Sequence, residues 1–233
     1  MADAATPAPR KDPLLSLGVH EFRTPVTVIS GYLRMLMSAR TGTLTDIQRK
    51  MLEEMEKSTA RLSGLIAEMS ELSMLEAGGA TFNRGVVDLG ALIEGELDSL
   101  PPLPDRDREV QVTVQNEAPG AGVQGDPVKL RNALHSLLVA HRRELVTSDE
   151  LRVCVERTTQ NGSPTLRVTI GGADRIDDLR QVPAEELTPF EEFRGGVGFT
   201  LPIARRIVAA HDGQLWSPPD NPRAGAVLFF PEA

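Results

Sequence analysis

The sequence contains a single cysteine, Cys154, and no block of like-charged residues. One cysteine excludes an internal disulfide framework and fits a reducing compartment, and a small apolar role inside a strand is its simplest interpretation. Acidic and basic side chains are interspersed, with 33 Asp and Glu against 25 Lys and Arg and a net charge of −8. This balance argues against a nucleic-acid-binding surface.

Long apolar runs are also missing. No stretch approaches the roughly 20 consecutive apolar residues that span a bilayer, and the N-terminal segment lacks the apolar core of a signal peptide. Residues 1–11 are rich in Ala and Pro and predict a disordered leader. We therefore expect a cytoplasmic protein with no membrane segment, sensor domain or anchor of its own.

Two stretches carry apolar residues at alternating spacings of four and three, which indicates a helix that packs along its length. The first seam consists of Leu15, Val19, Phe22, Val26, Ile29, Leu33 and Leu36. The second seam consists of Met51, Met55, Ser58, Leu62, Leu65, Met69 and Leu72. Thr45 and Gln48 predict a capping box at the start of the second helix, and Gly78-Gly79 predicts its end.

Two seamed helices joined by a short turn predict an antiparallel hairpin over residues 12–78. One hairpin cannot cover its apolar stripe on every side, so the pairing of two hairpins into a four-helix bundle is the economical arrangement. We therefore predict a homodimer. The alternative, in which the stripe packs on the rest of the same chain, is less consistent with two tandem seams.

The sequence pattern of residues 79–233 predicts a mixed domain of strands and helices. The predicted strands alternate in hydrophobicity, and they are 110–114, 151–155, 166–170 and 226–230. The predicted helices are about 92–100, 128–145 and 201–210. Asn161-Gly162 predicts a tight hairpin turn. The fold class is therefore α+β, a helical hairpin followed by an α/β sandwich with helices on one sheet face.

His20 lies one position outside the first seam, which predicts an imidazole on the exposed flank of the helix. A neutral imidazole nitrogen is a nucleophile at cellular pH. Thr24 follows four residues later on the same face. Pro25 removes a backbone donor inside the helix and predicts a bend just past His20.

The motif His20-Glu21-Phe22-Arg23-Thr24-Pro25 on a seamed helix, followed by a second seam, resembles the dimerisation and histidine-phosphotransfer domain of two-component sensor histidine kinases. The resemblance implies that His20 is a phosphoacceptor that passes a phosphoryl group to a receiver-domain aspartate of a response regulator. It also implies that Glu21 is a general base and that Thr24 orients water during receiver dephosphorylation. Helix geometry supports the role of Thr24, whereas the role of Glu21 rests on the resemblance, because adjacent helical residues point about 100° apart.

The rest of the chain is similar in layout to the ATP-binding catalytic domain of the same kinases. The family's Asn-box helix presents two asparagines, and Ser136 and Ala140 occupy those positions here, so a main metal ligand becomes a methyl group. Arg143 keeps a basic residue at a phosphate-contacting position. The family's adenine-binding aspartate corresponds to Gly171, and Arg175 stands where a glycine is usual.

Residues 190–193 resemble the family's Phe-box, and a second glycine box follows after Arg194 alone. In active kinases a flexible lid over the nucleotide occupies this interval. Gly196 and Gly198 survive as residual nucleotide-binding candidates, although a short Gly-x-Gly can equally shape a turn. Loss of the metal ligand, the adenine partner and the lid removes binding free energy for ATP. Every ~1.4 kcal/mol that is lost lowers the affinity for ATP by a factor of ten. The domain is therefore predicted to be degenerate, with its own catalysis lost and no metal site.

Three hypotheses remain open for the function. The first is a phosphotransferase or receiver phosphatase in which His20 accepts phosphate from one receiver aspartate and donates it to another. It needs no cofactor of its own, takes Mg²⁺ from the receiver, and uses the degenerate domain as a docking surface. The second is an ATP-dependent sensor histidine kinase with a divergent nucleotide site. The third is a non-catalytic dimerising scaffold that modulates an intact kinase through mixed dimers, for which His20→Gln has no effect.

Overall fold

The computed structural model describes residues 13–38, 42–103, 109–194 and 196–233. The chain divides into two units, of which the first ends at Ala80. The leader predicted over residues 1–11 lies outside the described residues. Within the described ranges, no helix is long and apolar enough to cross a membrane.

Helices α1 (Pro13–Met37) and α2 (Asp46–Glu76) pack along one another in the first unit. The predicted capping box is present at the start of α2. The backbone N–H of Gln48 donates to Thr45 Oγ1 at 3.3 Å, and the backbone N–H of Thr45 donates to Gln48 Oε1 at 2.9 Å. The predicted glycine stop is also confirmed, because Gly78 follows α2 with a φ of 62°, a conformation that favours glycine.

The seam predicted on α1 is only partly covered inside one hairpin. Val19 and Leu33 are buried, whereas Phe22, Ile29 and Leu36 keep 56%, 45% and 45% of their surface exposed. The three exposed residues recur at every seventh position, so they form one stripe along the helix. An exposed apolar stripe of this kind marks an association surface.

On α2 the hairpin buries the predicted seam residue Leu72, and it also buries two residues that each follow a seam position by one. Thr59 and Ile66 are buried, whereas Ser58 is exposed and Leu65 is half-buried. In one hairpin α2 contacts only α1, whereas a seam residue faces the central axis of a four-helix bundle. The face of α2 that α1 covers therefore lies to one side of the seam. The seam residue Leu62 is accordingly 49% exposed.

Six strands form the main sheet of the second unit. They are β2 (Gln111–Asn116), β4 (Glu150–Gln160), β5 (Ser163–Gly172), β6 (Thr188–Pro189), β7 (Gln214–Ser217) and β8 (Gly225–Pro231). Their order in the sheet is β2-β4-β5-β8-β7-β6. β2 runs parallel to β4, and the other neighbouring pairs are antiparallel. Two short strands, β1 (Gly85–Asp88) and β3 (Gly122–Gly125), form a separate antiparallel pair.

The turn between β4 and β5 confirms the predicted hairpin. Asn161 and Gly162 have φ angles of 51° and 80°, the conformation that a two-residue type I′ turn requires. The register pairs Cys154 with Thr169 in the interior of the sheet. Cys154 is fully buried, and burial raises the pKa of its thiol, so it is a small core side chain.

Four helices accompany the sheet, and they are α3 (Leu89–Glu94), α4 (Pro127–Glu144), α5 (Ile176–Gln181) and α6 (Thr200–Ala210). The predicted helices at 128–145 and 201–210 are confirmed as α4 and α6, which pack on each other. The helix predicted at 92–100 begins three residues earlier and ends at Glu94. α6 lies over the sheet face that carries Phe230. Gly213 lies so close to Phe230 of β8 and Val208 of α6 that a Cβ at this position would clash with both side chains.

The prediction of helices on one sheet face is incomplete. Leu179 of α5 and the following Leu187 pack on Val227 and Phe229. These two residues of β8 alternate with Phe230 and therefore face the opposite side of the sheet. α5 has only six residues, which is too short for a helical periodicity to show in the sequence.

Candidate functional site

His20 lies on the solvent side of α1, where its side chain is 79% exposed. The preceding residue, Val19, is buried, and one helical step turns His20 by about 100° away from that covered face. The exposure predicted from the seam is therefore confirmed. An imidazole in this position is accessible to the active site of a large partner protein.

The carboxylate of Glu21 lies beside this imidazole. Glu21 Oε1 is 3.6 Å from His20 Nδ1, and the Glu21 side chain is 69% exposed. The Cβ directions of adjacent helical residues do not reveal this proximity, because it depends on the long glutamate side chain folding back. A carboxylate near Nδ1 favours the tautomer with its proton on Nδ1, which leaves Nε2 as the nucleophilic nitrogen.

Thr24 is exposed one helical turn after His20. Its hydroxyl makes no hydrogen bond to any residue that the structure describes, whereas the hydroxyls of Thr27 and Ser30 donate to helix carbonyls at 2.8 and 2.9 Å. The Thr24 hydroxyl is therefore available to water or to a partner. α1 continues unbroken through Pro25.

On α4, the two positions that correspond to the family's asparagines present no ligand. Ala140 is buried and ends in a methyl group. Ser136 Oγ donates to the Asn132 carbonyl at 2.8 Å, which engages the hydroxyl within the helix. Across the part of the chain that the structure describes, no three His, Cys, Asp or Glu side chains are grouped so as to hold a metal ion.

Gly171, which corresponds to the adenine-binding aspartate, is enclosed by α5. A Cβ at this position would stand 3.5 Å from Ile176 Cδ1 and 3.7 Å from Leu179 Cδ2. Two apolar side chains therefore border the space that a carboxylate would enter. Arg175, at the usual glycine position, forms an ion pair with Asp220.

Arg194 occupies the interval in which active kinases carry a lid. Its side chain has no exposed surface, and Nη1 donates to Glu144 Oε2 at 2.7 Å. Nε donates to the Glu191 carbonyl at 2.9 Å, and Nη2 donates to the Pro222 carbonyl at 3.2 Å. The guanidinium carbon lies 5.1 Å from the centre of the Phe190 ring. A buried, hydrogen-bonded ion pair thus connects the Phe-box to the end of α4.

Two further ion-pair groups contact the Phe-box segment. The Glu192 side chain is 4% exposed and lies against the guanidinium groups of Arg205 and Arg206. Glu191 Oε1 is 2.6 Å from Arg223 Nη2, but both side chains are more than a third exposed, so this pair adds little. The buried Glu192 therefore holds the segment to α6, an arrangement unlike a lid that must open and close.

Burial controls the protonation of His141, which lies beside this ion pair. Burial lowers the pKa of His141 to about 4, and the Arg194 guanidinium is the second cause. His141 Nδ1 is 2.8 Å from the Leu137 carbonyl oxygen, and Nε2 is 3.4 Å from Arg194 Nη1. The neutral imidazole accommodates the buried cation, whereas a protonated one would repel it.

We expect the folded state to lose stability between about pH 6.5 and pH 4 because of His141. The unfolded chain takes up this proton at the ordinary histidine pKa of 6.5, but the folded chain does so only near 4. The unfolded state therefore binds more protons in this window and is favoured as the pH falls, by at most about 3 kcal/mol. Urea unfolding should show a smaller pH dependence for His141→Asn in this window, and equal slopes would contradict the assignment.

Arg143, Gly196 and Gly198, the residual nucleotide-binding candidates, lie in one region of the structure. Arg143 Nη1 donates to the Gly196 carbonyl at 3.0 Å. Gly196 and Gly198 have φ angles of 84° and 65°, which favour glycine. These contacts stabilise a turn, which is the second interpretation that the Gly-x-Gly pattern allows.

Sequence reasoning did not find the pairing of Arg194 with Glu144. The two residues are 50 positions apart, and neither belongs to a motif. One signal was present in the sequence: a single arginine stands where the resembled kinases have a whole lid.

Comparison with known proteins places the first unit in a defined family of domains. Residues 14–78 match the His Kinase A (phospho-acceptor) domain. The chain is 24% identical over 209 residues to the adaptive-response sensory kinase SasA of Synechococcus sp., covering 88% of this chain and 55% of the relative. It is 26% identical over 207 residues to the sensor-like histidine kinase SenX3 of Mycolicibacterium smegmatis, covering 86% and 52%. The chain thus spans about half the length of these curated relatives.

Two solved structures share the fold over most of the chain. Full-length ShkA in complex with AMPPNP has a TM-score of 0.66 at 21% identity, covering 96% of this chain and 47% of that chain. The Acinetobacter baumannii histidine kinase AdeS has a TM-score of 0.54 at 19% identity, covering 92% and 97%. At these identities the likeness concerns the fold, a helical hairpin followed by an α/β domain.

Proposed function

Because the chain belongs to the two-component histidine kinase family, we propose that it is a phosphotransfer protein that works without ATP of its own. His20 accepts a phosphoryl group from one receiver-domain aspartate and donates it to another receiver. One contrast within the chain carries this proposal. The phosphoacceptor motif is complete, and His20 is exposed. In contrast, the chain position at which active kinases have a nucleotide lid is occupied here by Arg194, whose buried side chain pairs with Glu144.

The transfer chemistry follows from the groups around His20. Nε2 attacks the phosphorus of an aspartyl phosphate, an N–P bond forms, and the P–O bond to the aspartate breaks with the carboxylate as leaving group. The imidazole then carries positive charge, which the Glu21 carboxylate beside Nδ1 stabilises at 3.6 Å. The reverse steps transfer the group to a second receiver. In this scheme the receiver supplies the Mg²⁺ that neutralises the phosphoryl oxygens.

Thr24 gives the protein a way to dephosphorylate a receiver. Its hydroxyl has no hydrogen-bond partner among the described residues and lies on the His20 face of α1. We propose that this hydroxyl orients a water molecule toward the receiver's aspartyl phosphate. The water oxygen forms a bond to phosphorus, the P–O bond to the aspartate breaks with the carboxylate as leaving group, and inorganic phosphate leaves.

Three features of the second unit argue against productive binding of Mg-ATP. Ala140 offers no metal ligand, and Gly171 offers no carboxylate to the adenine amino group. At the position of a mobile lid, Arg194 forms a buried ion pair with Glu144. Each loss lowers the affinity separately, by a factor of ten for every ~1.4 kcal/mol. We therefore propose that the phosphate on His20 comes from a partner.

Homodimerisation through the hairpin is part of the same proposal. Phe22, Ile29 and Leu36 of α1 and Leu62 of α2 remain exposed in a single chain. A second hairpin would cover these residues and complete a four-helix bundle. The area left open on both helices supports this assembly.

Ile29→Glu combined with Leu62→Glu is expected to convert the dimer into a monomer, because it would bury unpaired carboxylates in the bundle. The dimer dissociation constant should rise at least ~100-fold, measured by sedimentation equilibrium at micromolar concentration. Met35→Glu is the matched control, since Met35 is 60% exposed but lies about 120° around α1 from Ile29. A dimer that persists unchanged in the double variant would exclude this interface.

We propose the outer face of α1 as the contact for the receiver. Leu17, Val28 and Met35 are 58%, 51% and 60% exposed, and Thr24 lies on the same face of the helix. This face points away from the buried Val19, so a four-helix bundle would leave it open. A receiver bound here would have its aspartate beside His20.

The test is a reconstituted relay. A radiolabelled phosphorylated receiver should transfer its label to His20, and a second receiver should then remove it. The proposal fails if the protein takes no label from receivers that phosphorylate another histidine-phosphotransfer domain in parallel.

The second candidate function is an ATP-dependent histidine kinase with a divergent nucleotide site. The shared fold with ShkA, whose structure contains AMPPNP, favours it. The two candidates differ in the source of the phosphate on His20, which is a receiver in the first and Mg-ATP in the second.

A further inference from the structure

A cavity of about 370 Å³ remains in the second unit, beside the buried pair of Arg194 and Glu144. The end of α4, the turn after β5 and the loop before β8 form its walls. Its charged lining residues are Arg143, Arg175, Arg223 and Glu144. Nothing in the proposed phosphotransfer chemistry uses this cavity.

The charge that faces the cavity is positive. Three arginines line it against one glutamate. Glu144 Oε2 accepts a hydrogen bond from Arg194 Nη1 at 2.7 Å, so its negative charge is already compensated by a buried cation. His141, which also lines the cavity, is neutral at cellular pH.

Two of the three arginines in the lining have carboxylate partners that do not line the cavity. Arg175 pairs with Asp220, and Arg223 pairs with Glu191 at 2.6 Å. The side chains of Asp220 and Glu191 are 60% and 37% exposed, and ion pairs at such exposure are weak and rearrange easily. An anion inside the cavity can therefore share the guanidinium groups with these partners.

One position in the lining of the cavity departs from the kinase pattern. Arg175 places a guanidinium where the resembled kinases have a glycine. In the resembled kinases a divalent cation neutralises the bound phosphates. Here the arginines supply that positive charge directly, and guanidinium groups match phosphate oxygens with paired N–H donors.

We propose that this cavity binds a small organic phosphate without a divalent metal. Arg175 and Arg223 hold the phosphate, and the side chains of Leu145, Val146 and Ala224 provide an apolar wall for the organic part. The proposal concerns the second unit alone and does not depend on phosphotransfer at His20.

The test is calorimetric titration of the full chain with inorganic phosphate, AMP and ATP, each in EDTA and separately in Mg²⁺. We expect saturable binding of AMP in EDTA that weakens as the salt concentration rises. Arg175→Ala and Arg223→Ala should each weaken binding about tenfold or more. Arg157→Ala is the matched control, because Arg157 is also half-exposed and paired, with Glu232 at 2.9 Å, but does not line the cavity.

Three results would overturn the proposal: no saturable binding of any probe in EDTA, binding that requires Mg²⁺, or equal affinity in the wild type and in the Arg175→Ala, Arg223→Ala double variant. Thermal unfolding verifies that each variant is folded. If an alanine variant unfolds, Arg175→Gln and Arg223→Gln replace it, since glutamine keeps much of the packing and removes the charge.

Discussion

Replacing His20 by glutamine is expected to abolish phosphoryl transfer through the protein, with a loss on the order of 10³-fold or more. Glutamine keeps a polar side chain of similar size but has no nucleophilic nitrogen. The His20 side chain is 79% exposed, so the substitution should leave the hairpin, the dimer and the unfolding temperature unchanged. Transfer is measured with a radiolabelled phosphorylated receiver as donor.

Glu21→Gln is the companion variant in this experiment. It keeps the imidazole and removes the charge that lies 3.6 Å from Nδ1, so a partial loss of about ten- to a hundredfold is expected. Unimpaired signalling by the His20→Gln variant with an intact dimer would contradict the phosphotransfer account. That result would instead favour the dimerising scaffold.

Replacing Glu144 by alanine is expected to destabilise the second unit by about 3–5 kcal/mol, because it removes the partner of a buried charge. The side chain of Arg194 has no exposed surface, and burial already lowers the pKa of its guanidinium. Without Glu144 this cation would remain desolvated and uncompensated. The free energy of unfolding in urea measures the loss.

Glu232→Ala provides the control for an exposed pair. Its partner Arg157 is 50% exposed, and breaking such a pair costs about 0–1 kcal/mol. Combining Glu144→Leu with Arg194→Met should recover most of the lost stability, since apolar residues often replace a buried ion pair without cost. A loss below about 1 kcal/mol in Glu144→Ala would mean that the pair does not hold the Phe-box segment in place.

Local signals in the sequence were sufficient for much of the fold. The capping box of Thr45 and Gln48 and the turn at Asn161-Gly162 form as predicted, because each depends on neighbouring residues only. The exposure of His20 followed in the same way from its step beyond the seam. Short-range geometry was therefore accessible without a structure.

Features that depend on distant partners were not accessible. α5 is six residues long and is held by Val227 and Phe229 of β8, which no periodicity reveals. Arg194 meets Glu144 across 50 residues of chain. The burial of Thr59 in place of Ser58 depends on which neighbouring helix supplies the contact. Each of these outcomes is determined by tertiary packing.

The source of the phosphate on His20 can be determined in a single labelling experiment. The protein is incubated in parallel with radiolabelled Mg-ATP and with a radiolabelled phosphorylated receiver, with His20→Gln as the blank in both series. We expect label to appear on His20 from the receiver and not from Mg-ATP. Label transferred from Mg-ATP to His20 by the purified protein alone would contradict it.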